Sequence, residues 1–384
     1  MRPKKHQGSG LAYRALLFGL AAMGGALTWL AQAVGGQLVP NVIQWGAIDA
    51  SPPADATNIV VASVLDVGAV GLRADGTLAI WGAWGYTNFP SGLKNALSVA
   101  AGPGFGLAVT NGVVAQWGSS LGGYIYPVPS ELTNVVAVAC NDSPLALRSD
   151  LTLGIWSPYL TILTNVVAIA PGEFSGLALR PDGTIATWGG DACGHGMLDI
   201  PPGLTNVAAL AAGVCFSAAL RADGTVVAWG DNTYGQTNVP AGLSNVVAIA
   251  AGALHCLALR SDGTVVEWGQ NPYENPWDNS GPTNLVASLT NVVSIAAGGY
   301  GSLAIIGTGM PPRQVLVTNL AFGAGGFSIE VPTDRGKVYA LEYKNHLSDP
   351  QWQILPLVAG TGGSVELIDP APGSSLRFYR VRRW

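Results

Sequence analysis

The chain has 384 residues, 49% of them apolar and only 11% charged, with a formal net charge of −5. The charge is unevenly placed: residues 34–310 hold six cations against seventeen carboxylates, a net of −11, while residues 311–384 carry +2. Nucleic-acid affinity comes largely from Lys and Arg neutralising phosphates, so DNA, RNA and anionic membrane surfaces are poor partner candidates for so acidic a surface.

At the N-terminus, Arg2, Lys4, Lys5 and Arg14 precede an uncharged apolar run from Ala15 to Leu30, followed by Ala31-Gln32-Ala33. A basic segment, an apolar stretch and an A-x-A site together describe a secretory signal peptide over residues 1–33. The run is shorter than the roughly 20 residues a membrane span needs, which weighs against an anchor. Cleavage after Ala33 is expected; it removes four cations and no carboxylate, moves the net charge to −9, and places the mature chain in a secreted or cell-surface location.

Beyond the leader, a Trp ends a short apolar run seven times, at Trp45, Trp81, Trp117, Trp156, Trp188, Trp229 and Trp268, at steps of 36, 36, 39, 32, 41 and 39 residues. Self-similarity at this period predicts a repeat architecture in which one unit cannot bury its apolar face alone. The clearest unit, residues 245–269, reads NVVAIAAG, ALHCLALR, SDG and TVVEWG. Short Val- and Ala-rich runs divided by glycine turns read as strands. Asp75-Gly76, Asp182-Gly183, Asp223-Gly224 and Asp262-Gly263 predict hairpin turns, with Asn111-Gly112 as a variant. One carboxylate per turn, without a D-x-D ladder, favours turn geometry over a calcium site.

The first strand of the unit also recurs seven times, from IVVASV at 59–64 to NVVSIAAG at 291–298, and its small terminal residues suit an inner strand crowded about an axis. The Trp strand suits a wider position, where its indole packs on the next unit. The last unit stops at Gly307-Thr308-Gly309 with no Trp strand, whereas residues 41–46, NVIQWG, supply one at the start. The expected fold is all-β: a seven-bladed β-propeller of four-stranded blades over residues 37–310, closed by its N-terminal strand, with no exposed sheet edge.

The pattern A-A-G-x-x-x-x-L-A-L…D-G-x-V-x-x-W-G-x-N-x-x-G-Q is matched at residues 245–270 and at 206–236, which contains Trp229-Gly230-Asp231-Asn232-Thr233-Tyr234-Gly235-Gln236. These residues resemble the repeat family of the regulator of chromosome condensation. The short repeat and linkers such as Asn238-Val239-Pro240-Ala241-Gly242-Leu243 are nearest to its bacterial secreted members, which include a seven-bladed propeller inhibitor of β-lactamases. The nuclear member of the family acts on a small GTPase and on chromatin, a compartment and charge that do not suit this chain. In that secreted inhibitor binding is carried largely by aromatic residues in the loop just after A-A-G. The resemblance therefore implies a binding face at one end of the ring, formed by Phe105, Phe174, Phe216, Leu254, His255 and Tyr300.

After Trp268 an insert, residues 271–279, carries Tyr273 and Trp277 and reads either as a functional loop or as a tolerated surface insertion. Cys140, Cys215 and Cys256 lie in or beside apolar strand patterns and read as small hydrophobes, while Cys193 sits in a loop; export permits disulfides, but sequence does not fix a pairing. No C-x-x-C spacing suggests a metal. Past Met310-Pro311-Pro312 the composition turns basic and aromatic, and alternating runs over residues 314–384 predict a small β-sandwich module.

No Ser-His-Asp order, H-E-x-x-H, D-x-D or phosphate-binding glycine loop occurs, so no catalytic residue, cofactor or metal is expected. The rival reading is a hydrolase or lyase with Asp66, Asp142 and Glu173 clustered at the axis. The expectation is a monomeric, exported, non-enzymatic scaffold that binds a protein or a surface glycan, inhibition of a secreted enzyme being a narrower form of it.

Overall fold

The structure, a computed structural model, describes residues 41–384 apart from 47, 49, 50, 66, 67, 83–89, 91, 119–126, 142, 157–161, 174, 192, 271–285, 287, 308–318, 324, 325 and 373–376. Within these residues the chain is built of strands. β1 (Val42–Gly46) comes first, and then antiparallel triplets follow in order. They are β2 (Ile59–Leu65), β3 (Gly68–Arg73) and β4 (Leu78–Gly82); β5 (Ser98–Gly102), β6 (Phe105–Thr110) and β7 (Val113–Gly118); and β8 (Val135–Cys140), β9 (Pro144–Arg148) and β10 (Leu153–Ile155). Next come β11 (Ala168–Pro171), β12 (Ser175–Leu179) and β13 (Ile185–Gly189); β14 (Val207–Ala212), β15 (Phe216–Arg221) and β16 (Val226–Gly230); and β17 (Val246–Ala251), β18 (His255–Arg260) and β19 (Val265–Gly269). The last pair, β20 (Val292–Gly298) and β21 (Gly301–Ile306), is completed by β1, with Val42 opposite Ile305 and Trp45 opposite Ser302. The first strands of successive triplets are neighbours, β2 to β5, β8, β11, β14, β17 and β20, and β20 lies beside β2.

The expected fourth strand is not formed in any of these sheets among the described residues. In the fully described linker after Trp229, residues 231–245 form turns, and Pro240 removes a donor that a strand would need. An isolated bridge between Leu153 and Leu163 is the trace of a fourth strand in the third sheet.

Local chemistry explains why the triplets repeat. At the hairpins built on Asp, which are all but the Asn111-Gly112 turn of the second triplet, the Asp accepts two hydrogen bonds from the Thr two residues on: Asp223 Oδ1 from Thr225 N at 2.9 Å and Oγ1 at 2.6 Å, and Asp262 Oδ1 from Thr264 at 3.0 and 2.6 Å. The residue between them has positive φ: glycine at four turns, as at Gly224 (+84°) and Gly263 (+82°), and Leu151 (+67°) in the third triplet, a conformation that costs L-residues other than glycine strain. Asn95, Asn206, Asn245 and Asn291, which open the inner strands, have φ of 56–57°, a region that Asn tolerates. Turn and strand opening meet across sheets: Ala96 N donates to Gly76 O, Val135 N to Gly112 O and Val292 N to Gly263 O.

The Trp residues hold sheet to sheet. Trp81 packs with Val42, Leu303 and Ile305 of the β20–β21–β1 sheet, Trp117 with Val70 and Leu72, and Trp268 with Phe216 and Leu220. Their indoles also donate across the junction, Trp229 Nε1 to Met197 O at 2.9 Å, Trp268 Nε1 to Gln236 O at 3.0 Å and Trp81 Nε1 to Gln44 Oε1 at 2.8 Å. The small residue opposite each ring makes room for it: a Cβ at Gly106 or Gly176 would overlap the indole of Trp117 or Trp188.

Cys215 is not a small hydrophobe of the strand pattern, as expected, but bonds to Cys193, with Cα atoms 5.9 Å apart. The bond ties the loop after β13 to the loop before β15. Cys256 is buried and Cys140 half-buried, both as thiols. Burial pushes the Cys256 thiol far above its ordinary range.

The C-terminal residues form two antiparallel sheets: β22 (Asn319–Gly323), β23 (Gly326–Pro332) and β27 (Ser364–Asp369) in one; β24 (Val338–Lys344), β25 (Gln353–Ile354), β26 (Val358–Ala359) and β28 (Phe378–Arg383) in the other. Phe327, Ile329, Val331, Tyr339, Leu341 and Leu367 form their shared core. The pair rests on the hairpin-turn end of the first four triplets. Arg335 donates to Ala74 O at 2.9 Å and Ala96 O at 2.7 Å, Gly336 N to Leu97 O, Leu357 N to Ser149 O and Arg382 to Pro181 O. Val338, Ala340 and Leu357 join the core that contains Val136 and Leu179.

Candidate functional site

The ends of the inner strands surround a cavity of about 480 Å³. Its walls are small or aliphatic, among them Ala62, Ile169, Leu210 and Ile249, as the Ala- and Gly-rich strand endings require. The loops after these strands form the mouth, away from the hairpin turns on which the C-terminal sheets rest. There the same position carries Pro103, Asn141, Glu173, Val214 and Ala253 in successive repeats and Gly299 in the last, where Tyr300 follows it at the mouth. Neighbouring loops are bonded through their backbones, Val214 N to Ala253 O at 3.3 Å and Ala253 N to Gly299 O at 2.5 Å.

The expected aromatic face is corrected at three positions. Phe105, Phe216 and His255 are buried, the last two fully. Each is the first residue of its middle strand, and its ring folds inward over the glycine that ends A-A-G. A Cβ at Gly102, Gly213 or Gly252 would overlap the ring of Phe105, Phe216 or His255. The aromatic residue and the glycine are thus one packing unit between sheets, not a recognition element. Leu254 and Tyr300 keep half-buried positions in these loops, and Tyr300 lines the cavity. Phe174, Tyr273 and Trp277 lie outside the described residues.

His255 sits in a buried polar group. Its Nε2 is 2.8 Å from Ser302 Oγ and 4.0 Å from Glu267 Oε1, and Glu267 in turn accepts from the indole of Trp45. Burial pushes the imidazole down to about 4, so the ring is neutral at pH 7 and its approach to Glu267 is not an ion pair there. This cluster joins the β17–β18–β19 sheet to β21 and β1.

Glu173 lines the cavity, as the axial-acid reading expected, while Asp66 and Asp142 lie outside the described residues. Among the described residues no group of three or more His, Cys, Asp and Glu side chains could hold a metal, and no helix is long and apolar enough to cross a membrane. The mouth residues that sequence reasoning missed are Pro103, Asn141, Val214 and Ala253. Their signal was present as one variable position next to the recurring A-A-G in the chain's own repeats.

Residues 207–236 and 246–274, the fifth and sixth triplets each extended into its linker, match the regulator of chromosome condensation (RCC1) repeat. No curated protein matches the sequence. Among solved structures the chain is similar to Prp20p from Saccharomyces cerevisiae, described with its binding to Gsp1p and histones, at 16% identity and a TM-score of 0.59 over 71% of this chain and 93% of that one. It is also similar to the ectodomain of the receptor kinase CR4 from Physcomitrella patens, at 19% identity and a TM-score of 0.52 over 68% and 75% of the two chains. Human WBSCR16 gives 18% identity and a TM-score of 0.50 over 65% and 86%. At these identities the likeness establishes an RCC1-like propeller fold and nothing more specific.

Proposed function

We propose that this chain is an exported, monomeric binding scaffold without catalytic activity: a closed seven-bladed propeller, followed by a β-sandwich module, that presents its cavity mouth to a protein partner. The observation that carries this reading is the contrast between frame and mouth. Turns, strand openings and indole contacts repeat from sheet to sheet, whereas the residue after A-A-G differs in each repeat around one opening. Rigid scaffolds carry recognition on such loops.

Closure is supported by β1 pairing with β21 and by β20 lying beside β2. The Cys193–Cys215 bond supports export, since disulfides persist in oxidising compartments. A protein is favoured over a surface glycan because Prp20p, of similar fold, is described as binding Gsp1p and histones. The bacterial secreted type and the inhibition of a secreted enzyme remain narrower forms of the same proposal.

The test is capture of the partner from the native secretome by wild type and by a Leu254→Ala/Tyr300→Ala variant. Loss of anchor side chains at a binding centre costs about 2 kcal/mol or more, so the variant is expected to bind some thirtyfold more weakly. A partner held equally by both proteins would remove this face from consideration. Turnover of a polysaccharide or ester by pure protein would overturn the non-enzymatic reading.

A further inference from the structure

We infer that the axial cavity is a receptor for a neutral polyhydroxylated ligand, a sugar unit held by the backbones of β14, β17 and β20. The inference goes beyond the binding reading above: the site lies beneath the mouth, and each reading can fail without the other.

Three observations converge. The first is an edge. β14, β17 and β20 each end their sheet, so one edge of each has no strand paired with it. In an antiparallel pair, residues alternate between those that exchange both bonds with the partner and those that turn both groups away. Gly213 N donates to Phe216 O and Gly252 N to His255 O. With those pairs bonded, Ala212 and Leu210, and Ala251 and Ile249, direct N–H and C=O away from their sheets, as Ala297 and Ile295 do in the same register. Pro171, which has no N–H, holds the position of Ala251 in the fourth repeat, so the sheet does not use that donor.

The second is the fate of these donors around the ring. In the second and third repeats a serine of the preceding inner strand takes one: Ala101 N donates to Ser63 Oγ at 2.9 Å and Val138 N to Ser98 Oγ at 3.3 Å. In the inner strands that precede β14, β17 and β20 both serine positions are alanine: Ala170, Ala211 and Ala250 for one, Ala168, Ala209 and Ala248 for the other. No side chain at those positions can accept. The third is exposure. β5 is buried throughout, whereas most residues of β14, β17 and β20 are half-buried although they stand at the centre of the ring. The cavity therefore opens along these three strands, and polar atoms form the larger part of its surface.

N–H and C=O groups set side by side along three converging edges suit a group that donates and accepts at once, as a hydroxyl does. A charged group would meet dipoles of both signs. A hydrocarbon would strip water from groups it cannot bond, at a cost for each. An extended peptide pairs with a single edge, and here three edges face one space. The volume, about 480 Å³, lies within the range of small-molecule sites. Two sources offer this chemistry: a free saccharide, and the terminal unit of a glycan chain.

The experiment titrates the full chain by calorimetry with glucose, maltose, diacetylchitobiose and myo-inositol, with hexanol and acetyl-trialanine amide as controls. At least one saccharide is expected to bind at millimolar concentration or below, and neither control to bind. The parent polymer of the tighter disaccharide, soluble amylose or a chitin oligomer, separates the sources: competition assigns a glycan end, its absence a free sugar. Ala211→Ser/Ala250→Ser offers Ala251 N and Ala297 N the acceptor that Ser63 gives Ala101. That variant is expected to keep or raise the melting temperature and to weaken the saccharide about fivefold for each donor withdrawn. Ala251→Pro, which copies Pro171, removes one donor outright and is expected to cost a similar factor. No saccharide binding at tens of millimolar, tighter binding of either control, or undiminished affinity in folded Ala211→Ser/Ala250→Ser would each overturn the proposal. Saccharide binding without any captured protein partner would leave this site standing and sink the protein reading, and the converse would sink this site alone.

Discussion

His255 shows how one position can be read two ways. It occupies the place of Phe105 and Phe216, over the glycine of A-A-G, and is as buried as they are. A neutral imidazole there has a consequence for acid stability. In the unfolded chain the ring titrates near 6.5, in the fold near 4, because burial penalises the charged form. Its contribution is whole above pH 6.5, falls as the pH drops from 6.5 towards 4, and is gone below; the full span is worth about 3 kcal/mol. The turn aspartates act in a lower window. Hydrogen bonds from Thr225 and Thr264 hold the Asp223 and Asp262 carboxyls below the usual range, so their contribution is lost only under stronger acid. His255→Phe installs the residue found in the sister repeats. Urea midpoints at pH 7 and 4.5 are expected to fall with acid in wild type and to fall much less in the variant. Parallel losses in the two proteins would refute the assignment.

At the scale of elements, the loop after β13 is tied to the next sheet both by a covalent bond and by hydrogen bonds to one carbonyl. Met197, fully buried, accepts through its carbonyl from Trp229 Nε1 and from Ser217 Oγ, both at 2.9 Å. The corresponding carbonyl after β16 belongs to Gln236, itself held by Asp231, in the W-G-x-N-x-x-G-Q stretch. The loop that carries Met197 lacks that stretch and is tied instead through Cys193 to Cys215, across 22 positions. A bridge of that length is worth about 3 kcal/mol in the chain-entropy account. Cys193→Ala/Cys215→Ala is expected to melt several degrees lower and to redshift the fluorescence of Trp229 as Met197 withdraws. An unchanged melting curve in the presence and absence of reductant would argue that the bond does not secure this loop.

The order of strands, the hairpins and the sheet-to-sheet role of Trp were legible in sequence because each rests on local chemistry that recurs: Asp-Gly-Thr, Asn before a Val run, Trp before Gly. The inward turn of Phe105, Phe216 and His255 was not, since it depends on a missing Cβ three residues earlier that only matters once the strand folds back. The disulfide was hidden for the same reason, Cys193 reaching Cys215 only when two loops meet. Among the described residues the fourth strand is absent from the linker at 231–245, where Pro240 and turn residues outweigh the repeat analogy.

The molecule as a whole turns on the junction between its last and first sheets. At ordinary junctions the N–H that opens an inner strand is met by the carbonyl of a hairpin glycine, as Val246 is by Gly224. Where β1 replaces a hairpin strand there is no such glycine. Asn41 takes over: its Oδ1 accepts from Ile59 N at 3.0 Å, its Nδ2 donates to Ile59 O at 2.8 Å, and its own carbonyl receives Ile306 N. Trp45, bonded to Glu267 and packed with Leu257 and Leu259, secures the other end of β1. Removing residues 34–46 would therefore expose the edge of β21, strip Trp81 of Gln44 and leave Glu267 buried without its indole, a change of several kcal/mol. The truncated protein is expected to melt well below wild type and to associate through that edge, and a synthetic peptide of residues 40–47 added in trans to reverse that association. Asn41→Ala, which keeps β1 but not its side-chain bridge to Ile59, is expected to lose about 1–2 kcal/mol. Truncation that alters neither melting nor sedimentation would show that β1 closes nothing, and a peptide without effect on an aggregating truncation would place the defect elsewhere than at the β21 edge.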